Sequence, residues 1–196
     1  AACGYGTDKA IFGYGTTGSL TAITNLVNNS GVVASDTTGV GTVRGQLAAA
    51  EFGTDKGIFG FGVTSSGATG VTNLVSNSGV VATDVSAVGT ARYDLCAVGY
   101  STDKCIFDKG STNVSNLVSN SGVVASDTTG VGTNKSTLAA TPYGNGKAIE
   151  AYGKNPSTAA AVSLSNLISD SGVVAADVTG VGTARSRIDS RRSCCE

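Results

Sequence analysis

The stretch SNLVSNSGVVASDTTGVGT, from Ser115 to Thr133, occurs four times in nearly the same wording. The other copies run from Thr24 to Thr42, from Thr72 to Thr90 and from Ser165 to Thr183. Self-similarity at a regular period is typical of proteins built from stacked units, each of which cannot bury its apolar face alone. The repeat therefore predicts one domain over 1–196, with four units at about 1–44, 45–92, 93–135 and 136–185 and a C-terminal tail at 186–196.

Each unit contains four candidate strands, which we label A to D. In the first unit, strand A (Ala1 to Gly6) and strand B (Lys9 to Gly15) flank a Thr-Asp turn. Strand C begins at Asn25, and an Asn-Ser-Gly turn leads to strand D, which begins at Val32. Four strands at a period of roughly 40 to 50 residues are typical of propeller blades. We therefore predict an all-β fold, a four-bladed β-propeller, with an elongated solenoid or fibre of the same repeats as the alternative.

The composition excludes several classes of protein. The chain is 40% hydrophobic with a net charge of −1, which is the reverse of a disordered sequence. The balance of 13 basic and 14 acidic residues predicts no nucleic-acid partner. No apolar run reaches the roughly 18 residues of a membrane-spanning helix, so we expect no membrane insertion. The chain begins with Ala1 rather than Met, from which we expect a processed protein or a segment of a longer array.

Catalytic chemistry is not predicted. The chain has no histidine, and so lacks the commonest general base and the commonest metal ligand. No Ser-His-Asp set, P-loop or paired-carboxylate cleft can be assembled from the remaining residues. We expect a protein that is not an enzyme, with no catalytic residues, no cofactor and no metal.

One acidic and one basic position recur eight residues apart in every unit. We interpret them as structural, with the aspartate capping the turn that follows it and pairing with a neighbouring arginine. The alternative is a ring of carboxylates and a ring of basic groups that hold calcium or an anion, but a single carboxylate in each turn is fewer than calcium needs. The acidic positions are Asp36, Asp84, Asp127 and Asp177, and the basic positions are Arg44, Arg92, Lys135 and Arg185.

The segment between strands B and C varies in length and wording from unit to unit, as surface loops that tolerate insertions do. Hydroxyl and amide side chains with an aromatic residue just before them suit contact with carbohydrate or protein, although any exposed loop has a similar composition. We expect these loops to lie on the face opposite the A–B and C–D turns and to bind a protein or glycan. The candidate binding residues are Tyr14, Thr16, Thr17, Ser19, Phe61, Thr64, Ser65, Ser66, Asn113, Tyr152, Asn155 and Ser157.

The five cysteines do not form a metal-binding pattern, because no Cys-x-x-Cys spacing exists and no histidine can complete a zinc site. If four blades close into a ring, Cys3 and the adjacent Cys194 and Cys195 come from strands that meet at the closure. We therefore predict a disulfide between Cys3 and either Cys194 or Cys195, with unpaired thiols as the alternative.

The unit resembles a kelch repeat. The run Ile11 to Gly15 stands where that family has a strand ending in glycines, and Arg44, Arg92 and Arg185 stand where it has an arginine before the next blade. Here Gly-Tyr-Gly replaces the adjacent glycine pair, and there is no tryptophan. The sequences GYGTDKAIFGYG and NLVSNSGVVATD are also similar to those of repeat proteins of marine bacteriophages and their hosts. These resemblances imply a kelch-like propeller with a role on a virion tail or a cell surface.

From these observations we expect a structural and binding module that is extracellular or virion-associated. The alternative is a self-assembling extracellular fibre subunit, in which exposed strands of one copy complete the next by strand complementation.

The third unit has Asp108 and Lys109 where the first two have Gly-Tyr and Gly-Phe, and the fourth has Glu150 in strand B. We expect these two units to pack differently from the others.

Overall fold

A computed structural model describes residues 1–187, and these residues form strands, turns and loops without a helix. The strands are β1 (Ala2–Tyr5), β2 (Lys9–Thr16), β3 (Leu20–Val27), β4 (Ala48–Phe52), β5 (Lys56–Gly60), β6 (Val63–Thr64), β7 (Gly67–Ala68), β8 (Thr72–Val75), β9 (Cys96–Tyr100), β10 (Lys104–Asp108), β11 (Val114–Val118), β12 (Thr128–Thr129), β13 (Ala139–Tyr143), β14 (Lys147–Ala151) and β15 (Ser165–Ile168). The all-β prediction is therefore confirmed.

Strands A, B and C form one small antiparallel sheet in each unit, as the sequence predicts. The sheets have the orders β1-β2-β3, β4-β5-β8, β12-β11-β10-β9 and β13-β14-β15. In the first sheet Tyr5 lies opposite Lys9, so that only Gly6, Thr7 and Asp8 form the connecting turn. Gly6 and Thr7 adopt left-handed φ angles of 58° and 67° there, which lets the chain reverse within three residues.

Strand D is only partly formed, which corrects the prediction of four strands in every unit. In the first unit this segment meets strand C at isolated bridges such as Val27 with Val33. Among the described residues, only the third unit has a strand there, the two-residue β12. The side chain of Asn25 donates hydrogen bonds to the carbonyl oxygen of Ala34 (3.1 Å) and to Asp36 Oδ1 (2.8 Å). These side-chain bonds add to a few backbone hydrogen bonds between the segment and strand C, such as that from the amide of Ala34 to the carbonyl oxygen of Leu26 (2.8 Å).

The sheets of successive units pack against one another without sharing strands. Strand β1 contacts β4, β4 contacts β9, and β9 contacts β13. Each of the three apolar clusters combines residues of two neighbouring units, so the core of the protein lies between units. A unit therefore depends on its neighbours for its buried surface. The fully buried members of the clusters are Ile11, Ile58, Phe59, Phe61, Val75, Cys105, Ile106, Phe107, Val118, Ala148 and Ile168.

A series of backbone hydrogen bonds also joins the units in chain order. The amide of Asp94 donates to the carbonyl oxygen of Gln46 (3.0 Å), the amide of Thr137 donates to that of Asp94 (2.9 Å), and the amide of Arg187 donates to that of Thr137 (3.0 Å). All four residues have left-handed φ angles between 51° and 57°. The same local conformation therefore recurs wherever one unit leads into the next.

The A strands of all four units border one apolar groove of about 580 Å³. Its lining includes Phe12 and the strand A alanines Ala2, Ala49, Ala97 and Ala140. The described residues do not form a closed barrel or a closed propeller. The observed fold is thus four small sheets stacked in chain order, with their A strands around one groove.

Candidate functional site

The two kinds of turn lie together at one edge of the sheets, as predicted. The side-chain amide of Asn29 donates to Asp8 Oδ2 (3.2 Å), so the C–D turn contacts the A–B turn of its own unit. Asn77 and Asp55 make the same bond at 3.0 Å, and so do Asn120 and Asp103. The B–C loops lie at the other end of the strands. We call the surface formed by the B–C loops, 16–19, 64–68, 111–113 and 155–161, the loop face.

Most of the predicted polar residues of the loop face are open to solvent. Three of them are only partly exposed and hold the loops in shape: Thr64 Oγ1 donates to the carbonyl oxygen of Gly67 (3.0 Å), and Asn113 Nδ2 donates to that of Gly132 (3.1 Å). Asn155 Oδ1 accepts a bond from the amide of Ser157 (2.9 Å). The predicted residues that remain exposed are Thr16, Thr17, Ser19, Ser65, Ser66 and Ser157.

Of the three aromatic residues predicted for this face, Tyr152 is half-buried and its hydroxyl donates to the carbonyl oxygen of Val181 (3.3 Å), whereas Tyr14 and Phe61 are buried. Tyr14 is buried and meets Phe59 of the next unit edge to face, with ring centroids 5.2 Å apart. Phe61 is fully buried and meets Phe107 in the same way at 5.1 Å. Both rings point along the stack, because each occupies the position of strand B that faces the following unit. Tyr14 and Phe61 are therefore packing residues, which corrects their assignment as binding residues.

Sequence reasoning missed the one aromatic side chain that the third unit brings to the loop face. Tyr93 is 36% exposed. Its amide donates to Ser111 Oγ (3.3 Å) and its carbonyl oxygen accepts from the amide of Ser111 (2.9 Å), which ties it to the loop. The sequence did contain a signal for this residue. Tyr93 directly follows the repeated Arg92, whereas the equivalent positions after Arg44 and Lys135 are Gly45 and Ser136.

The repeated basic residues bind one unit to the next. Arg44 is fully buried, and its guanidinium lies over the ring of Tyr14 at 4.2 Å. It donates from Nε to the carbonyl oxygen of Phe61 (3.0 Å) and from Nη2 to Asn73 Oδ1 (2.7 Å). Burial lowers the pKa of Arg44 and lowers that of Arg92 to about 10. Their structural role agrees with the prediction, but within residues 1–187 they make no ion pair with the repeated aspartates.

Three of the four repeated aspartates, Asp84, Asp127 and Asp177, cap a turn of the preceding unit rather than their own. Asp84 accepts hydrogen bonds from the amide (3.1 Å) and hydroxyl (2.6 Å) of Thr42 and from Asn73 Nδ2 (2.9 Å). Partial burial raises the pKa of Asp84, but these hydrogen bonds outweigh burial and hold it below its usual range. The bonds recur between Thr90 and Asp127 and between Thr133 and Asp177.

The third and fourth units do pack differently, as expected. Lys109 and Glu150 occupy the positions that Phe61 and Phe107 occupy one interface earlier, and Lys109 Nζ lies 3.1 Å from Glu150 Oε1. Lys135 Nζ lies 3.6 Å from the same oxygen, and all three charged side chains are fully buried. A buried ion pair therefore replaces an aromatic pair at this interface.

Two further ionisable groups adjoin this ion pair. Asp108 is 1% exposed, and neither of its carboxylate oxygens has a hydrogen-bond partner. Burial, with the nearby charge of Glu150, raises the pKa of Asp108 to about 7. Cys96 Sγ lies 3.5 Å from Glu150 Oε2, and burial raises the pKa of this thiol well above its usual range. The charged side chains of the cluster are buried, and Cys96 at its edge also borders the groove between the A strands.

Comparison with known protein families and with curated proteins found no match to this chain. No group of three or more His, Cys, Asp or Glu side chains within residues 1–187 is arranged to hold a metal ion. In the same part of the chain there is no helix long and apolar enough to cross a membrane.

The predicted disulfide falls partly outside the described residues, because Cys194 and Cys195 lie beyond position 187. It therefore stays a prediction. Cys3 itself packs against the backbone of Gly57 in the second unit, and burial raises the pKa of its thiol to about 12.

Proposed function

We propose that the protein is a non-enzymatic structural and binding module, extracellular or virion-associated, whose loop face binds a protein or glycan on a surface. The observation that supports the proposal is that the B–C loops at one edge of the sheets differ in length and sequence from unit to unit, whereas the C–D segments are nearly identical. The second unit even adds a separate two-stranded hairpin there, β6 with β7. A scaffold of constant sheets with variable loops is the usual arrangement of recognition surfaces.

Each loop begins at a fixed point on the buried framework. The amides of Gly15, Gly62, Gly110 and Gly153, at the start of the four loops, donate to the carbonyl oxygens of the basic residues Arg44, Arg92, Lys135 and Arg185 at 2.8 to 3.0 Å. Loops anchored in this way lose less conformational freedom on binding than free loops do. The exposed hydroxyl groups and the phenol of Tyr93 supply polar and aromatic contacts.

We further propose that the four units are blades of a kelch-like propeller that is open between the fourth and the first unit within one chain. In a propeller the innermost strand of every blade faces a central channel. The position of all four A strands around one groove of about 580 Å³ supports this arrangement. The non-enzymatic part of the proposal is supported by the lack of histidine in the chain and by the burial of the Lys109–Glu150 cluster.

The test uses an array of glycans and a panel of bacterial surface proteins, both probed with the purified full chain. A double variant, Ser65→Ala with Ser66→Ala, alters the exposed hairpin of the loop face. Ser78→Ala is the matched control, because Ser78 is also an exposed serine but lies in the C–D turn at the opposite edge. We expect binding that the double variant weakens and the control retains. Binding lost only in the Ser78→Ala protein would overturn the assignment of the loop face.

A further inference from the structure

The first internal interface, between the first and second units, is made by four kinds of contact, and the outer surfaces of the first and fourth units each expose one half of that set. We call the outer surface of the fourth unit the donor face, because its threonine and arginine supply hydrogen bonds. The outer surface of the first unit is the acceptor face. The donor face consists of Tyr143, Tyr152, Thr183 and Arg185, and the acceptor face consists of Phe12, Asn25, Gly31 and Asp36.

The first shared contact is aromatic. Phe59 and Phe107 are fully buried where the preceding unit's aromatic ring meets them. Phe12 holds the same position in the first unit and is 49% exposed. Tyr152 of the donor face corresponds to Tyr14, whose ring packs against Phe59 at the first internal interface. Each outer face therefore holds one half of an aromatic pair.

The second shared contact places an aromatic ring over a glycine. The Tyr5 ring lies so close to Gly79 in the next unit that a Cβ there would be 3.0 Å from it. The equivalent ring on the donor face, Tyr143, is 41% exposed. The equivalent glycine on the acceptor face, Gly31, has no atom within 4 Å of the position that a Cβ would occupy. The Tyr143 ring on the donor face and the surface around Gly31 on the acceptor face are therefore both available for this contact.

The third shared contact is the capping of a threonine by an aspartate. Thr42 donates to Asp84 from its hydroxyl group at 2.6 Å, whereas Thr183 and Asp36, the corresponding residues of the two outer faces, are both exposed. Gly182 likewise has no atom within 4 Å of a potential Cβ, although its counterparts in the first three units all meet the aspartate of the following unit. The site for Asp36 on the donor face is thus formed and empty of protein atoms.

The fourth shared contact is made by the repeated arginine. Arg185 lies over the ring of Tyr152 at 3.7 Å, as Arg44 lies over its tyrosine at 4.2 Å. Arg44 also donates from Nη2 to Asn73 of the next unit at 2.7 Å. The acceptor equivalent to Asn73 on the outer face of the first unit is Asn25. The arginine of the donor face is therefore oriented before any partner is present.

We propose that the donor face of one copy docks head to tail on the acceptor face of a second copy, reproducing the internal interface between units. The second copy is the partner because it carries the matching half of all four contacts. Within residues 1–187 of one chain both faces remain at least partly exposed, so in this part of the chain they do not close on each other. Such a heterologous interface either closes into a ring of copies or extends into a filament. The units share no strands among residues 1–187, so this join is a contact between faces rather than strand complementation.

This self-assembly is a function separate from binding by the loop face. It is tested by sedimentation velocity of the full chain over a series of concentrations, with a reductant present so that disulfides take no part. Phe12→Glu blocks the acceptor face and Tyr143→Glu blocks the donor face. Val80→Glu is the matched control, because Val80 is 64% exposed but belongs to an internal unit. Circular dichroism checks that every variant is folded.

We expect the wild-type protein and the Val80→Glu protein to associate with the same dissociation constant. Each face variant should raise that constant by at least about tenfold. Mixing the two face variants should restore association but stop at a dimer, because the mixture has one intact donor face and one intact acceptor face. A wild-type protein that stays monomeric at every concentration would overturn the proposal. So would assembly that either face variant retains, or a mixture that forms no dimer.

Discussion

Glu150→Gln should destabilise the protein strongly, because it removes a carboxylate that lies 3.1 Å from Lys109 and 3.6 Å from Lys135. Both lysines are fully buried, and removing one partner of a buried ion pair costs roughly 3–5 kcal/mol. We expect about 3 kcal/mol, the lower end of that range, because Asp108 adjoins the site and ionises more readily once the charge of Glu150 is gone. For a chain of this length the melting temperature should fall by about 6–12 °C.

A matched variant converts this interface into the aromatic type found one interface earlier. It combines Asp108→Gly, Lys109→Phe and Glu150→Phe, which rebuilds the pair formed by Phe61 and Phe107. The change at Asp108 is necessary, because a Cβ at the equivalent Gly60 would lie 2.5 Å from the ring of Phe107. Replacing a buried ion pair by well-packed apolar side chains is neutral or stabilising by about 1–4 kcal/mol. In this variant Lys135 stays buried without its carboxylate, so the triple variant should be less stable than the wild-type protein but more stable than Glu150→Gln, which leaves both lysines without that carboxylate.

Urea unfolding followed by circular dichroism measures both effects, with equal m-values as the check that the same surface is exposed on unfolding. If Glu150→Gln unfolds at the wild-type urea concentration, the buried lysines do not depend on that carboxylate and the reasoning is refuted. If the triple variant is less stable than Glu150→Gln, the two interfaces are not interchangeable.

Three further predictions concern stability. The pKa of Asp108 rises from 3.8 to about 7 on folding, so the folded state keeps a proton that the unfolded state loses between those values. The free energy of unfolding should therefore fall by about 2 kcal/mol from about pH 5 to about pH 7. Urea titrations at several pH values should show a smaller fall for Asp108→Asn. The same pH dependence in both proteins would contradict this prediction. Asp84→Asn should lower the free energy of unfolding by about 1–3 kcal/mol, because hydrogen bonds between units are lost. Asp36→Asn, measured in dilute protein, should change it by less than about 0.5 kcal/mol. Gly79 and Gly31 both have left-handed φ angles, of 82° and 76°, but only at Gly79 would an added Cβ contact an aromatic ring. Gly79→Ala should lower thermal stability by about 1–3 kcal/mol more than Gly31→Ala, and equal losses would mean that backbone strain alone sets the cost.

The hairpin of strands A and B and the position of strand C follow from local sequence. Short apolar runs on either side of Thr7 and Asp8 specify a tight antiparallel pair, and the bond between Asn29 and Asp8 follows from the alternation of the connections. Strand D could not be predicted in the same way. The segment after Val32 meets strand C only at isolated bridges such as Val27 with Val33, and nothing in its local pattern distinguishes that from a regular ladder.

The candidate site was harder to predict because it depends on what lies between units. Tyr14 and Phe61 stand next to variable loops in the sequence, yet their rings point along the stack into the next unit. Their burial depends on aromatic rings of the following unit, which the sequence around Tyr14 and Phe61 does not indicate. The change to Lys109 and Glu150 was visible as a departure from the repeat, but two charged residues in separate units do not by themselves indicate that they meet.

By itself, the sequence determined that the protein is an all-β chain of four similar units with variable loops at one position, because repeats and short-range alternation are local properties of the chain. The tertiary structure alone decided which face of each unit is buried, that the repeated arginines and aspartates join successive units, and that an ion pair replaces an aromatic pair at the last interface. Those features arise from contacts between residues far apart in the chain, whose energies depend on burial and on the distance between side chains rather than on their order.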